Sequence, residues 1–202
     1  MARQGDTTRE RLLEETTRLV HRKGFGATSM KDILEASGLT KGSLYHHFPG
    51  KDDLGLAVLE RARVEFEEFL DTKLVGASPA ARLESFFAAV LARHQALEFT
   101  GGCIFGNTAL ELADREARHV PLVARVFREW SARLEEVLAA GQASGEVRDD
   151  LPASLLALHA VAVIEGGIML SRLEKDEGPL RGCLQTLRAL LQPPGGSPSR
   201  GA

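Results

Sequence analysis

The chain of 202 residues is 44% hydrophobic and 26% charged, with a formal net charge of −3. That profile fits one globular domain, or a small domain joined to a larger one. It excludes a chain that is basic throughout and coats nucleic acid without selection.

No basic segment followed by an apolar core marks a signal peptide, and no apolar run approaches the length of a membrane span. The most apolar stretch, 155–170, is interrupted by His159, Glu165 and two glycines and reads as a buried helix. Cys103 and Cys183 lie far apart in no metal-ligand spacing, as expected of reduced thiols in a cytoplasmic protein. No metal, cofactor or membrane is expected as a partner. Charge is unevenly placed: residues 1–51 hold nine Lys/Arg against six Asp/Glu, a surplus of three, so the remainder carries −6. A basic head on an acidic body is expected where only the head meets phosphate.

Nearly every segment has helical period, and none shows sustained strand alternation, so the fold is expected to be all-α. The first helix spans 8–23, with Leu12, Thr16, Leu19 and Val20 on one face and Gly24 as its stop. Ser29 with Asp32 opens a second, ending near Ala36. Ser37-Gly38-Leu39 is a tight connection, and Thr40 caps a short helix from Lys41 to His47. Pro49-Gly50 breaks the chain before a long helix over 51–74. Further helices are expected over 79–99, 103–113, 116–143, 152–174 and 179–191. Pro121 should kink or divide the third of these. The tail from Pro193 is rich in proline, glycine and serine and should be disordered. The expected divisions are a head, 1–50, a body, 51–192, and the tail, 193–202.

Two short helices around a three-residue turn containing glycine make a helix-turn-helix unit. Ile33 and Leu34 should face inward, and the small Ala36 should allow a close crossing. Gly38 can take the positive φ that the turn demands. Leu39, Leu44 and Phe48 complete a small core with Leu12, Leu19 and Phe25. Thr40 would aim the start of its helix at a major groove. The outward residues are then Lys41, Gly42, Ser43, Tyr45, His46 and His47. Lysine and serine can read base edges, Gly42 allows close approach, and Tyr45 can reach a phosphate. Thr28, Ser29 and Lys51 stand at helix starts, which favour phosphate. His46 and His47 are adjacent on a helix and diverge, so they make a poor metal pair.

This segment resembles the DNA-binding domain of the tetracycline-repressor family. The motifs are TSMKDIL, ASGLTKGSLYHHF and GKDDL, within a match over 8–54. Leu34 stands where many members have alanine. The resemblance implies an all-helical protomer of about nine helices, a homodimer and a C-terminal half that binds an inducer. It implies that Lys41, Gly42 and Ser43 approach bases and that Thr28, Tyr45, His46 and Lys51 approach the backbone of a double-stranded operator. The stretch GGCIFGNTALEL is similar to one branch of the family and fixes no ligand.

In the body, aromatic residues concentrate mid-chain and can wall an apolar site holding a few polar groups. The candidate ligand contacts are Phe86, His94, Cys103, Asn107, Phe127, Trp130, His159, Glu165 and Met169. Two apolar faces suit a four-helix dimer interface: Ala157, Ala160, Val161, Ile164 and Ile168, then Leu184, Leu187 and Leu191. Gly166 and Gly167 permit close helix approach. The reading is a repressor released by a small, mostly apolar ligand. The alternative is a thiol-based redox or electrophile sensor acting through Cys103, which starts a helix. Nothing in the sequence makes an enzyme's nucleophile-base pair, phosphate loop or metal triad. Lys41, Tyr45 and Lys51 together speak against an adaptor that has lost DNA binding.

Overall fold

A computed structural model describes residues 2–114 and 118–194, with side chains from residue 7. The described residues form nine helices and no strand: α1 Ala2–Lys23, α2 Met30–Ser37, α3 Lys41–His47, α4 Lys51–Lys73, α5 Pro79–Ala96, α6 Ile104–Leu112, α7 Val120–Ala143, α8 Ala153–Glu174 and α9 Gly178–Leu191. The tail expected to be disordered falls, from residue 195 on, outside the described residues, as does Glu116, the expected start of the seventh helix.

The chain divides into two compact units, Met1–Glu67 with Thr100–Val126 and Glu68–Phe99 with Phe127–Ala202. In the first, α1 lays Leu12, Leu13, Leu19 and Val20 into a core shared with Ile33, Leu44, Phe48 and Leu54, all buried. Thr16 also points inward, its hydroxyl donating to the Leu12 carbonyl at 2.6 Å, so no polar atom is stranded there. Ser37, rather than Ala36, faces this core: Ala36 is exposed and Ser37 fully buried. Helix α6 belongs to this unit.

In the second unit α8 and α9 pair along their length. Gly167 makes the approach close, since a Cβ there would lie 3.0 Å from Leu180 Cδ1, whereas one on Gly166 would meet nothing within 4 Å. The buried Ser171 hydroxyl accepts the Leu180 amide at 2.9 Å. At the start of α5, Ser78 caps the Ala81 amide and donates to Glu146, placing a carboxylate at a helix N-terminus where the dipole favours it.

Three expectations change. Pro121 neither kinks nor divides a helix: α7 begins at Val120, so the proline lies in the first turn, where its missing N–H has no intrahelical role. Helix α5 stops at Ala96 because Glu98 and Phe99 take positive φ. Helix α8 is, by length and composition, apolar enough to cross a membrane, contrary to the sequence reading, although 39% of its most apolar stretch is buried. A helix packed into a protein core passes the same test.

Candidate nucleic-acid interface

The head is set by local chemistry. Helix α1 ends at Lys23, followed by Gly24 with φ 86°. Ser29 and Asp32 form a reciprocal capping box at the start of α2. Lys23 pairs with Asp32 at 2.8 Å, and the lysine, then Ser29, holds the Asp32 carboxyl well below the usual carboxylate range. Gly38 closes α2 with φ 64° and donates its amide to the Leu34 carbonyl at 2.9 Å. Thr40 Oγ1 accepts the Ser43 amide at 3.2 Å and opens α3.

Helix α3 turns Leu44 inward and leaves Lys41, Gly42, Tyr45 and His46 exposed, with Ser43 and His47 half-buried. Lys41 Nζ stands 5.8 Å from the Tyr45 ring centroid. A Cβ on Gly42 would meet only Thr40 Oγ1, at 4.0 Å, so the glycine is not required by packing. The result is a short helix with a capped, solvent-exposed N-terminal turn and an uncovered face of hydrogen-bonding side chains.

Other candidate contacts are already engaged. Thr28, expected to be outward, is instead buried, and its hydroxyl donates to the Gly24 carbonyl at 2.7 Å. Ser29 is exposed, with its hydroxyl spent in the capping box. Lys51 lies 4.6 Å from the Phe25 ring centroid and donates to the Gly26 carbonyl at 3.1 Å. Burial lowers its ammonium from the ordinary lysine value.

Sequence reasoning missed Glu111 and His119. Glu111, near the end of α6, accepts the Phe25 amide at 2.9 Å and the Gly26 amide as well. His119 is buried, its ring centroid 4.7 Å from that of Phe25 and its Nε2 3.2 Å from the Asp52 carbonyl oxygen. The usable signal for Glu111 was a lone acid on an otherwise apolar helix.

The ligand candidates do not form one group. Cys103 and Asn107 belong to the first unit. Cys103 Sγ accepts the Gly106 amide at 3.4 Å, and the Asn107 side-chain amide donates to the Gly101 carbonyl at 2.6 Å. In the second unit, Phe86, Trp130 and His94 are buried, and Phe127 and Glu165 half-buried. Phe86 is 6.3 Å from Trp130 and 6.1 Å from Phe69 between ring centroids, and Phe127 stacks on Trp130 at 6.2 Å. His159 and Met169 instead lie exposed on α8.

The dimer candidates also require correction. Ala157, Ala160, Val161, Ile164, Ile168, Leu184, Leu187 and Leu191 are all buried within their own chain, because α8 uses this face to pack on α9 and the core. The apolar face left open on α8 carries Leu155, Leu158, Ala162, Met169 and Leu173. Among the described residues no group of three His, Cys, Asp or Glu could hold a metal ion.

A three-helix head with a glycine turn and a capped, exposed third helix defines a helix-turn-helix regulator. Residues 12–58 match the family model of bacterial regulatory proteins, tetR family, and residues 79–187 that of the tetracyclin repressor-like C-terminal domain. The chain is 29% identical over 187 residues to the HTH-type transcriptional repressor DhaR of Mycobacterium sp. strain GP1, covering 92% of each. It is 31% identical over 169 residues to the transcriptional regulator AcuR of Cereibacter sphaeroides, covering 81% of this chain and 76% of that protein. A TetR transcriptional regulator from Chloroflexus aurantiacus J-10-FL has a TM-score of 0.84 at 31% identity, covering 93% of this chain and 95% of that one. The chain belongs to the tetracycline-repressor family, and is a helix-turn-helix transcriptional regulator.

Proposed function

We propose that the chain represses transcription by binding a double-stranded operator as a homodimer and that a small, mostly apolar ligand releases it. The observation that carries DNA reading is the uncovered face of α3, where Lys41, Gly42, Ser43, Tyr45 and His46 stand beyond the Thr40 cap. Lys41 and Ser43 are assigned to base edges, Gly42 to close approach, and Tyr45, His46 and Lys51 to phosphates. Lys51 must then exchange the Gly26 carbonyl for phosphate oxygen. Residues 1–50 are assigned to DNA reading and 51–192 to the ligand and the partner copy. Repression is supported by the likeness to DhaR.

Pairing of two copies is assigned to the open face of α8, around Leu158 and Leu173, which are 60% and 78% exposed in the single chain. An apolar stripe of that extent on one helix fits a partner's matching stripe. The ligand is assigned to the aromatic group of Phe69, Phe86, Phe127 and Trp130. It must favour the shape that does not bind DNA, since equal affinity for both shapes shifts nothing.

One helix reads only a few base pairs, so a dimer should select a palindrome with half-sites roughly 34–36 Å apart or somewhat more. Selection from a random duplex pool tests this, and recovery of an asymmetric, non-repeating site overturns it. The position of Cys103 favours a second reading, thiol sensing, because its sulfur receives an amide at the start of α6. Release by a reversible apolar ligand that persists in Cys103→Ser supports the first reading. Release only by oxidants or electrophiles, lost in that variant, supports the second.

A further inference from the structure

The Phe25–Gly26 segment lies between the end of α1 and the capping box of α2. It has left one helix and not entered the next, so its backbone polar groups need partners elsewhere. All four have them. The two amides go to the two oxygens of Glu111. The Phe25 carbonyl accepts the Thr28 amide at 3.2 Å, and the Gly26 carbonyl accepts Lys51 Nζ at 3.1 Å. Glu111 is separated from Phe25 by 86 positions in sequence, so the bonds are no by-product of local turn geometry. A carboxylate accepting two successive amides makes charge-assisted bonds, stronger than those between neutral groups. Lys51 faces the same dipeptide with the opposite charge. A Cβ at position 26 would meet Glu111 Oε1, the end of a flexible side chain, so a larger residue there displaces the carboxylate from the two amides; one on Gly24 would lie 3.2 Å from Oε2.

We propose that Glu111 is a positioning residue for DNA recognition: its two oxygens clamp the Phe25–Gly26 segment, so that α6 fixes the setting of α2 and α3 in the head, and the clamp persists when Lys51 turns from Gly26 to phosphate. The inference rests on the DNA-binding reading above. Gly26→Ala pries at the same contact from the other side without altering Glu111.

The test uses the full-length protein, an operator selected from a random pool and a random duplex of equal length. In Glu111→Gln one acceptor oxygen becomes an NH2 donor facing an amide. Hydrogen exchange at the Phe25 and Gly26 amides should accelerate at least tenfold, with α8 amides unchanged. Operator affinity should fall at least fivefold while random-duplex affinity does not, since the variant carries less negative charge. Gly26→Ala should act in the same direction, and the double variant should lose less than the product of the two effects. Operator affinity within twofold of the unaltered protein in both variants overturns the proposal, as does an equal loss on both duplexes. If the unaltered protein binds no DNA, the functional reading fails first and this inference with it. A Glu111→Gln chain that does not fold leaves Gly26→Ala to decide.

Discussion

Gly42→Ala separates a role in folding from a role at DNA. Gly42 is the second residue of α3, exposed, and its added methyl would stand 4.0 Å from Thr40 Oγ1 with nothing nearer. Alanine is the better helix former by about 0.8–1.0 kcal/mol in a helix interior. In the first turn the gain is smaller, about 0.5 kcal/mol, so the thermal midpoint should rise by roughly 1–2 °C in a chain of this size. At DNA the sign reverses. The methyl occupies the space through which the backbone approaches the base edges, and disrupting one good base contact costs about 1–3 kcal/mol. Because about 1.4 kcal/mol is tenfold, operator affinity should fall by about one order of magnitude or more per head. Fluorescence anisotropy with the selected operator reads the affinity, and thermal unfolding followed by circular dichroism reads the stability. A variant that is slightly more stable and binds as tightly as the unaltered protein refutes the placement of α3 at DNA.

Lys51→Ala should weaken binding to every duplex and make the salt dependence shallower by about one unit for each phosphate that a protomer no longer neutralises. An altered base preference without a change in salt slope contradicts its assignment to phosphate. Ser29→Ala removes the side-chain cap of α2 and should cost about 1 kcal/mol in denaturant unfolding. Asp32 has a folded-state pKa below its ordinary value of 3.8, so its stabilisation is complete above that value and lost only as pH falls beneath it. Asp32→Asn should therefore lower stability near neutrality and leave it unchanged in strong acid; an equal loss at both pH values rejects this linkage. Leu158→Asp and Leu173→Asp alter exposed positions, so each chain should fold while sedimentation shows monomers. An intact dimer in both variants moves the interface off this face of α8.

The helix order and the head were legible because their signals are local. The Ser29–Asp32 spacing, the glycine at 38 and the threonine at 40 each act within four residues, and each occupies the geometry its chemistry demands. The faces of α8 were not legible. Leu155, Leu158, Met169 and Leu173 are as apolar as the buried Leu156, Val161, Ile164 and Ile168, so periodicity cannot say which stripe packs inward. Pro121 was misplaced for a related reason: the rule that proline breaks a helix depends on where the helix starts. Glu111 showed in the sequence only as the lone acid of α6, and its role could not be read from that because its partners are brought to it by the fold. The candidate ligand set mixed residues of both units, since aromatic content reports apolar character and not proximity.

The first compact unit is not continuous in sequence, for Thr100–Val126 joins Met1–Glu67. The reading head therefore cannot be exchanged between relatives as a single N-terminal block. A chimera joined at residue 50 would bring the Phe25–Gly26 segment and leave behind its own Glu111, substituting whatever the recipient carries on α6. Transplanting a new operator preference should be more reliable if only the exposed residues of α3 are changed, or if the α6 segment travels with the head.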